Sequence, residues 1–216
     1  MSVAGVAVVL PAAFALAWVL ARWRFPGKLL VDAIVHLPLV LPPVVTGWLL
    51  LLAFGANGPV GRWLADWFGV TVMFRWTGAA LAAAVMALPL MVRAIRLSIE
   101  AVDRRLEGAA RTLGAGPWRS FATVTLPLCL PGVLAALVLG FARSIGEFGA
   151  TITFVSNIPG ETRTLPIAIY AALQQPGGDV AVARLSLIAV LLSLAALVAS
   201  EWLARRAGAG RGGHVL

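Results

Sequence analysis

Hydrophobic and polar positions divide the chain into long apolar runs around one extended polar interruption, Glu100 to Pro127, EAVDRRLEGAARTLGAGPWRSFATVTLP. Residues 3–20 carry no charge and are broken only by Pro11, a length that crosses a hydrocarbon layer of about 30 Å. A secretory signal would need a basic residue before the run and a small-residue cleavage site after it. Here Arg22, Arg24 and Lys28 follow instead, so the run reads as a span, and its abrupt start leaves room for a missing upstream segment. Further runs predict spans at about 29–54, 76–97, 126–145 and 185–203. The fold class expected is all-α, a polytopic transmembrane helical bundle of about five spans in a single domain, residues 1–216.

The second span is interrupted by Pro38, Pro42 and Pro43, with Thr46 and Gly47 beside them. Prolines remove backbone hydrogen bonds, and inside a bilayer the freed carbonyls must be satisfied by protein, water or a passing solute. A broken helix facing a pathway and a kink that only shapes packing both fit. His36 reads as a buried hydrogen-bonding residue, since the other histidine, His214, lies in the tail. Asn57-Gly58-Pro59 marks a turn before a tryptophan-rich amphipathic piece, Arg62 to Phe68, of the kind that sits at headgroup level. Gly146 to Asp179 is too mixed for a lipid-facing span and carries Pro159-Gly160, Pro166 and Pro176-Gly177-Gly178 as loop punctuation. Residues 205–216 form a glycine-rich tail.

Within the polar interruption, Ile99, Val102, Leu106, Ala109, Ala110 and Leu113 recur at three- and four-residue steps while Asp103, Arg104, Arg105, Glu107 and Arg111 fill the other sides. That period predicts an amphipathic helix. It closes at Gly114-Ala115-Gly116, and Pro117 suits the first position of a second short helix, Trp118 to about Val124. The result is a polar hairpin, residues 100–125, beside a membrane. A surface hairpin with its basic residues on lipid headgroups is one reading of it, and a docking element for a partner is the other.

Composition supports the membrane setting. Hydrophobic residues are 61% and charged residues 12%, against about a quarter charged in ordinary soluble domains, and the mean hydropathy is +0.95. With the hairpin in the cytoplasm, Arg22, Arg24, Lys28, Arg93, Arg96, Arg104, Arg105, Arg111, Arg119, Arg205, Arg206 and Arg211 fall on or near the inside. That is the greater part of the 17 basic residues, as the positive-inside rule requires. The N-terminus is then outside and the C-terminus cytoplasmic. Topology thus accounts for the net charge of +8, and nucleic acid need not be invoked. Cys129, the single cysteine, reads as packing.

Enzyme chemistry finds little support. There is no G-x-x-x-x-G-K-[ST], H-E-x-x-H or G-x-S-x-G and no cysteine pair. Ser144 near Arg143 and Glu147 does not make a nucleophile, base and orienter. A membrane-embedded hydrolase is kept only as a remote alternative, and no metal site is expected.

Ala109-Ala110, Gly114 and, twelve and thirteen residues beyond it, Leu126-Pro127 resemble the EAA loop of ATP-binding-cassette importer permeases. Gly108 stands where that consensus has Glu, with Glu107 one position earlier, and Val124 stands where Ile is usual. The resemblance implies a type I importer permease in a prokaryotic plasma membrane. Its coupling helix, Glu107, Gly108, Ala109, Ala110, Leu113, Gly114, Leu126 and Pro127, docks on a cytoplasmic ATPase. With Glu107 out of register, Glu107→Gln is expected to matter less than Gly114→Val.

Gly140 to Tyr170, GFARSIGEFGATITFVSNIPGETRTLPIAIY, and His36 to Gly47, HLPLVLPPVVTG, resemble molybdate importer permeases; sulfate and thiosulfate permeases are the alternative. The resemblance implies a half-transporter: two copies of this chain, two ATPase subunits that hold ATP-Mg, and an extracytoplasmic oxyanion-binding protein, with no cofactor on this chain. Tetrahedral dianions are best handled by hydroxyls and backbone N–H groups, so Thr46, Thr151 and Thr153 become candidate path residues with Pro42 and Pro43. Arg143 lies about 24 Å along the fourth span from Pro127, and Glu147 is spaced to pair with it on one helical face. They form either part of an outer gate or a structural brace.

Overall fold

The computed structural model describes residues 1–209, and they form an almost wholly helical bundle. The helices are α1 Ser2–Arg22, α2 Lys28–Val40, α3 Pro43–Phe54, α4 Pro59–Phe68, α5 Trp76–Glu100, α6 Arg104–Thr112, α7 Pro117–Ser120, α8 Leu126–Ile145, α9 Gly149–Val155, α10 Leu165–Leu173 and α11 Asp179–Ala209. Four segments are long and apolar enough to cross a membrane: Ser2–Arg22, Trp76–Glu100, Pro117–Ile145 and Asp179–Ala199. The pair α2 and α3 makes a fifth if counted together, but it is bent by 117°. Of the two readings of the proline cluster, the broken helix is the one adopted. Leu41 and Pro42 are extended, and Pro43 opens α3, where a missing N–H costs nothing.

α5 is the spine. Its buried face is built from small residues, Gly78, Ala79, Ala80, Ala82, Ala83, Ala84 and Ala87, followed by Met91, Val92, Ile95 and Ile99. In a bilayer, helices gain nothing from leaving lipid for one another, so close approach over small side chains supplies the attraction. α1 approaches so closely that a Cβ on Gly5 would stand 2.6 Å from the Ala80 carbonyl oxygen. α8 comes as close further along α5, with Gly140 on Met91 and Gly132 on Ser98. One core joins Ala13, Ala17 and Leu20 of α1 to Ile95 and Ile99 of α5 and to Cys129 and Ala136 of α8. A second joins Leu50 of α3, Met86 of α5 and Phe154 of α9.

Several boundaries differ from the sequence reading. The amphipathic period from Ile99 is split: α5 ends at Glu100, and Asp103 caps a new helix by accepting from the Arg105 N–H at 2.8 Å. The second arm of the hairpin is not separate. α7 runs through a π-helical turn, Phe121–Thr125, into α8, so the span expected from residue 126 belongs to a continuous helix of 29 residues from Pro117. The segment between 146 and 179, too mixed in sequence for a lipid-facing span, holds the short helices α9 and α10. α11 starts before residue 185 and continues through positions 205 and 206 to Ala209. Arg211 and His214 lie outside the described residues, as do the side chains of Arg205 and Arg206.

Candidate coupling and translocation sites

The hairpin is fastened to the bundle through Glu107. Its Oε1 accepts from Arg22 Nη2 at the end of α1, 2.5 Å away, and from Thr125 Oγ1 in the π turn at 2.7 Å. Both side chains of the ion pair are mostly buried, and the Arg22 guanidinium also lies over the Trp18 ring, 5.4 Å from its centroid. At about 100° per residue, Arg104 and Arg111 flank Glu107 while Leu106, Ala109 and Leu113 turn to the far side of α6. Leu113 is 89% exposed and Leu106 48%. A helix lying on lipid would point its apolar stripe toward the bundle's membrane side and its charges away. This one turns Glu107 inward, while Arg104, Arg105 and Arg111 are exposed and the apolar stripe is left uncovered as well.

Gly114 has φ +85°, the left-handed conformation that closes the first arm. Gly108 and Gly114 have open space around them, with nothing within 4 Å of an added Cβ. Ala109 is exposed and Ala110 half-buried. Leu126 and Pro127 start α8 just beyond the π turn, both exposed. For folding, as distinct from coupling, these contacts weigh Glu107 more heavily than Gly114. Glu107→Ala strips two partners from a mostly buried position, where hydrogen bonds to a charged group are worth about 1.5–3 kcal/mol. Gly114→Ala meets no atom and adds only a left-handed backbone penalty of about 1–2 kcal/mol. Thermal unfolding of the purified chain should therefore show the larger loss for Glu107→Ala; a larger loss at Gly114 would break the assignment of Glu107 as the fastening.

A second cluster forms where two helices start at breaks. α3 begins at Pro43 and α9 at Gly149, and the two pack side by side: a Cβ on Gly149 would lie 2.7 Å from Pro43 Cβ. At Gly47, a Cβ would meet the Ala150 carbonyl oxygen at 2.6 Å and Thr153 Cβ at 2.9 Å. The candidate path residues Pro43, Thr46, Thr151 and Thr153 are thus gathered on two touching helices, with Pro42 exposed at the break. Thr46 and Thr151 are 4% and 1% exposed, and neither hydroxyl has a hydrogen-bond partner among the described residues. Thr153 is different, because its Oγ1 donates to the Gly149 carbonyl at 2.8 Å.

Arg143 and Glu147 pair at 2.6 Å, the guanidinium partly exposed and the carboxylate 2% exposed. The second carboxylate oxygen accepts from the Ala150 N–H at 2.9 Å, which ties the end of α8 to the first turn of α9. Sequence spacing revealed the pair but not this cap. It also missed Arg22 and Thr125 as partners of Glu107, and a charged cluster between α2 and α5. There Arg96 bridges Asp32 at 3.1 Å and Glu100 at 2.8 Å. His36 Nδ1 lies 2.8 Å from the Asp32 carbonyl, so it is a hydrogen-bonding residue as expected, although half-buried.

A bundle of membrane helices with a polar hairpin at one end, and with broken helices carrying buried hydroxyls, fits a membrane component of a solute transport system. Residues 10–208 match the family described as binding-protein-dependent transport system inner membrane component, and the chain belongs to that family, a multi-pass inner-membrane permease. The membrane-hydrolase alternative is set aside by this membership. The molybdenum transport system permease protein ModB of Escherichia coli (strain K12) is 62% identical over 204 residues, 94% of this chain and 89% of that protein. ModB of Haemophilus influenzae is 61% identical over 91% of this chain and 86% of its own length. The sulfate transport system permease protein CysT of Escherichia coli is 41% identical over 83% of this chain and 65% of its own. Among solved structures, the inward-facing MetNI methionine ABC transporter superposes with a TM-score of 0.69 at 16% identity, covering 95% of this chain and 89% of that one. A bacterial alginate importer does so with 0.69 at 18% identity, covering 95% and 77%. At such identities the likeness establishes the fold.

Proposed function

We propose that this chain is the permease subunit of an ATP-driven importer of a tetrahedral oxyanion, molybdate or its near isostere tungstate. The observation that carries the reading is the 62% identity to a molybdenum permease along nearly the whole chain, against 41% to a sulfate permease. The unpartnered hydroxyls of Thr46 and Thr151 support it, since neutral donors can hand on a dianion without trapping it. Two copies about a two-fold axis frame the path, an extracytoplasmic binding protein delivers the anion, and two cytoplasmic ATPase subunits hold ATP-Mg. The apolar stripe of α6 with Gly108, Ala109, Ala110 and Leu113 is the docking face. The Glu107 fastening makes the hairpin a handle on α1 and α8, so closure of the ATPases swings the helices around Pro42, Pro43 and Thr46, with Arg143, Glu147, Thr151 and Thr153 toward the outer end.

In liposomes containing all three components, ATP hydrolysis should rise with molybdate or tungstate and not with sulfate; stimulation by sulfate or thiosulfate alone would transfer the chain to the alternative. Topology is tested separately. Single cysteines at Arg104 and Arg119, in a Cys129→Ala background, should be shielded from an impermeant reagent in intact cells, while those at Arg62 and Glu161 should label. External labelling at position 104 would remove the hairpin from the cytoplasm and the coupling role with it.

A further inference from the structure

Between α1 and the hairpin lie two adjoining cavities of opposite character. The first, about 420 Å³, is walled by apolar side chains, among them Ala15, Trp18 and Phe121; the second, about 410 Å³, opens among Arg22, Arg104 and Arg111, and the two share Trp18, Glu107 and Arg111. Trp18 and Phe121 meet edge to face with centroids 5.0 Å apart, which gives the apolar part a firm wall. Ala15 is exposed on a membrane-spanning helix, so the groove borders the bilayer.

At the mouth, Arg22 and Glu107 neutralise each other. Three arginines against one carboxylate leave two positive charges, Arg104 and Arg111, with no ion pair among the described residues. Inside, Ser120 lines the apolar cavity and is 1% exposed, and its buried hydroxyl has no partner among the described residues. A buried hydroxyl without an acceptor is costly, and the described residues supply none here. An apolar slot, a hydroxyl at its inner wall and a doubly positive entrance match one molecule of the surroundings: an acyl chain, an ester or phosphate oxygen, and an anionic headgroup.

We propose that this groove is a binding site for an anionic phospholipid of the inner leaflet, its acyl chain against Ala15, Trp18 and Phe121, an oxygen accepting from Ser120, and its phosphate at Arg104 and Arg111. The proposal rests on the cytoplasmic placement of the hairpin. Basic and aromatic residues gather at headgroup level for this reason, and arginine near an anionic surface favours binding by about fivefold per residue. The occupant bridges α1 to α6 beside the Glu107 fastening, so it stiffens the handle through which the ATPase acts. Inner-leaflet charge thereby becomes a determinant of coupling.

The test uses the complete transporter in mild detergent, titrated with phosphatidylglycerol or phosphatidylcholine and read by native mass spectrometry. The parental complex should retain phosphatidylglycerol in preference. Arg104→Gln with Arg111→Gln should lower that retention by about 25-fold, the product of about fivefold at each position, and leave phosphatidylcholine unchanged. Ala15→Trp, which fills the slot, should reduce both lipids. Equal retention of the two lipids by the parental complex, or retention unaltered in the variants, overturns the proposal. ATPase copurification is scored in the same samples, so a misplaced hairpin, which abolishes the complex, is distinguishable from an intact complex that ignores lipid charge.

Discussion

Arg143→Leu is expected to destabilise the chain by about 3–5 kcal/mol, because it leaves the Glu147 carboxylate, 2% exposed, as a buried charge without its partner. The informative companion is Arg143→Leu combined with Glu147→Gln. The amide oxygen can still accept from the Ala150 N–H, as the carboxylate does at 2.9 Å, so the start of α9 stays capped while both charges are gone. Most of the stability should return in thermal unfolding. Replacing Glu147 by leucine instead should recover less, since the Ala150 N–H would then be buried without an acceptor. Transport separates the two roles of the pair. As an outer gate, it predicts that the double variant hydrolyses ATP without importing anion; import at the parental rate would reduce Arg143 and Glu147 to a brace.

Gly47→Val should abolish transport while sparing ATPase binding. The added Cβ meets backbone, the Ala150 oxygen at 2.6 Å and Ala150 Cα at 2.9 Å, and neither can rotate away as a side chain end could. α3 and α9 must separate, an overpacking cost of about 1–3 kcal/mol paid where Thr46 and Thr151 are held. Gly47→Ala should already impair anion-dependent hydrolysis severalfold, whereas Gly108→Ala, with open space around it, should be silent in folding. Parental transport in Gly47→Ala would mean that the contact between α3 and α9 is not part of the working path.

These two sites show what a linear reading reaches. The proline cluster marked the second span for either a break or a kink because proline acts on its own backbone, wherever the chain goes next. The hairpin was legible from period and glycine for the same reason. Glu107 was not, since its partner Arg22 is 85 residues away, and only folding reveals that pairing. The split at Asp103 was hidden because a capping aspartate and a solvent-facing aspartate occupy the same place in an amphipathic pattern. α9 and α10 are too short, at 7 and 9 residues, to establish a period against flanking glycine and proline. The Ala150 cap on Glu147 was obscured by the more obvious spacing to Arg143.

The alanine face of α5 has a consequence for how the chain can change over time. Where Ala79, Ala82 and Ala87 are fully enclosed, even one added methylene pushes a neighbouring helix outward, so drift along this helix is confined to exchanges among the smallest side chains. α11 lies at the other extreme. Only 6% of its apolar window is buried, and Leu187, Val190, Leu194 and Leu197 face outward, so any oily residue serves as well as another. A lineage carrying this fold is therefore freer to rewrite its last helix than α5, the second of its four long ones.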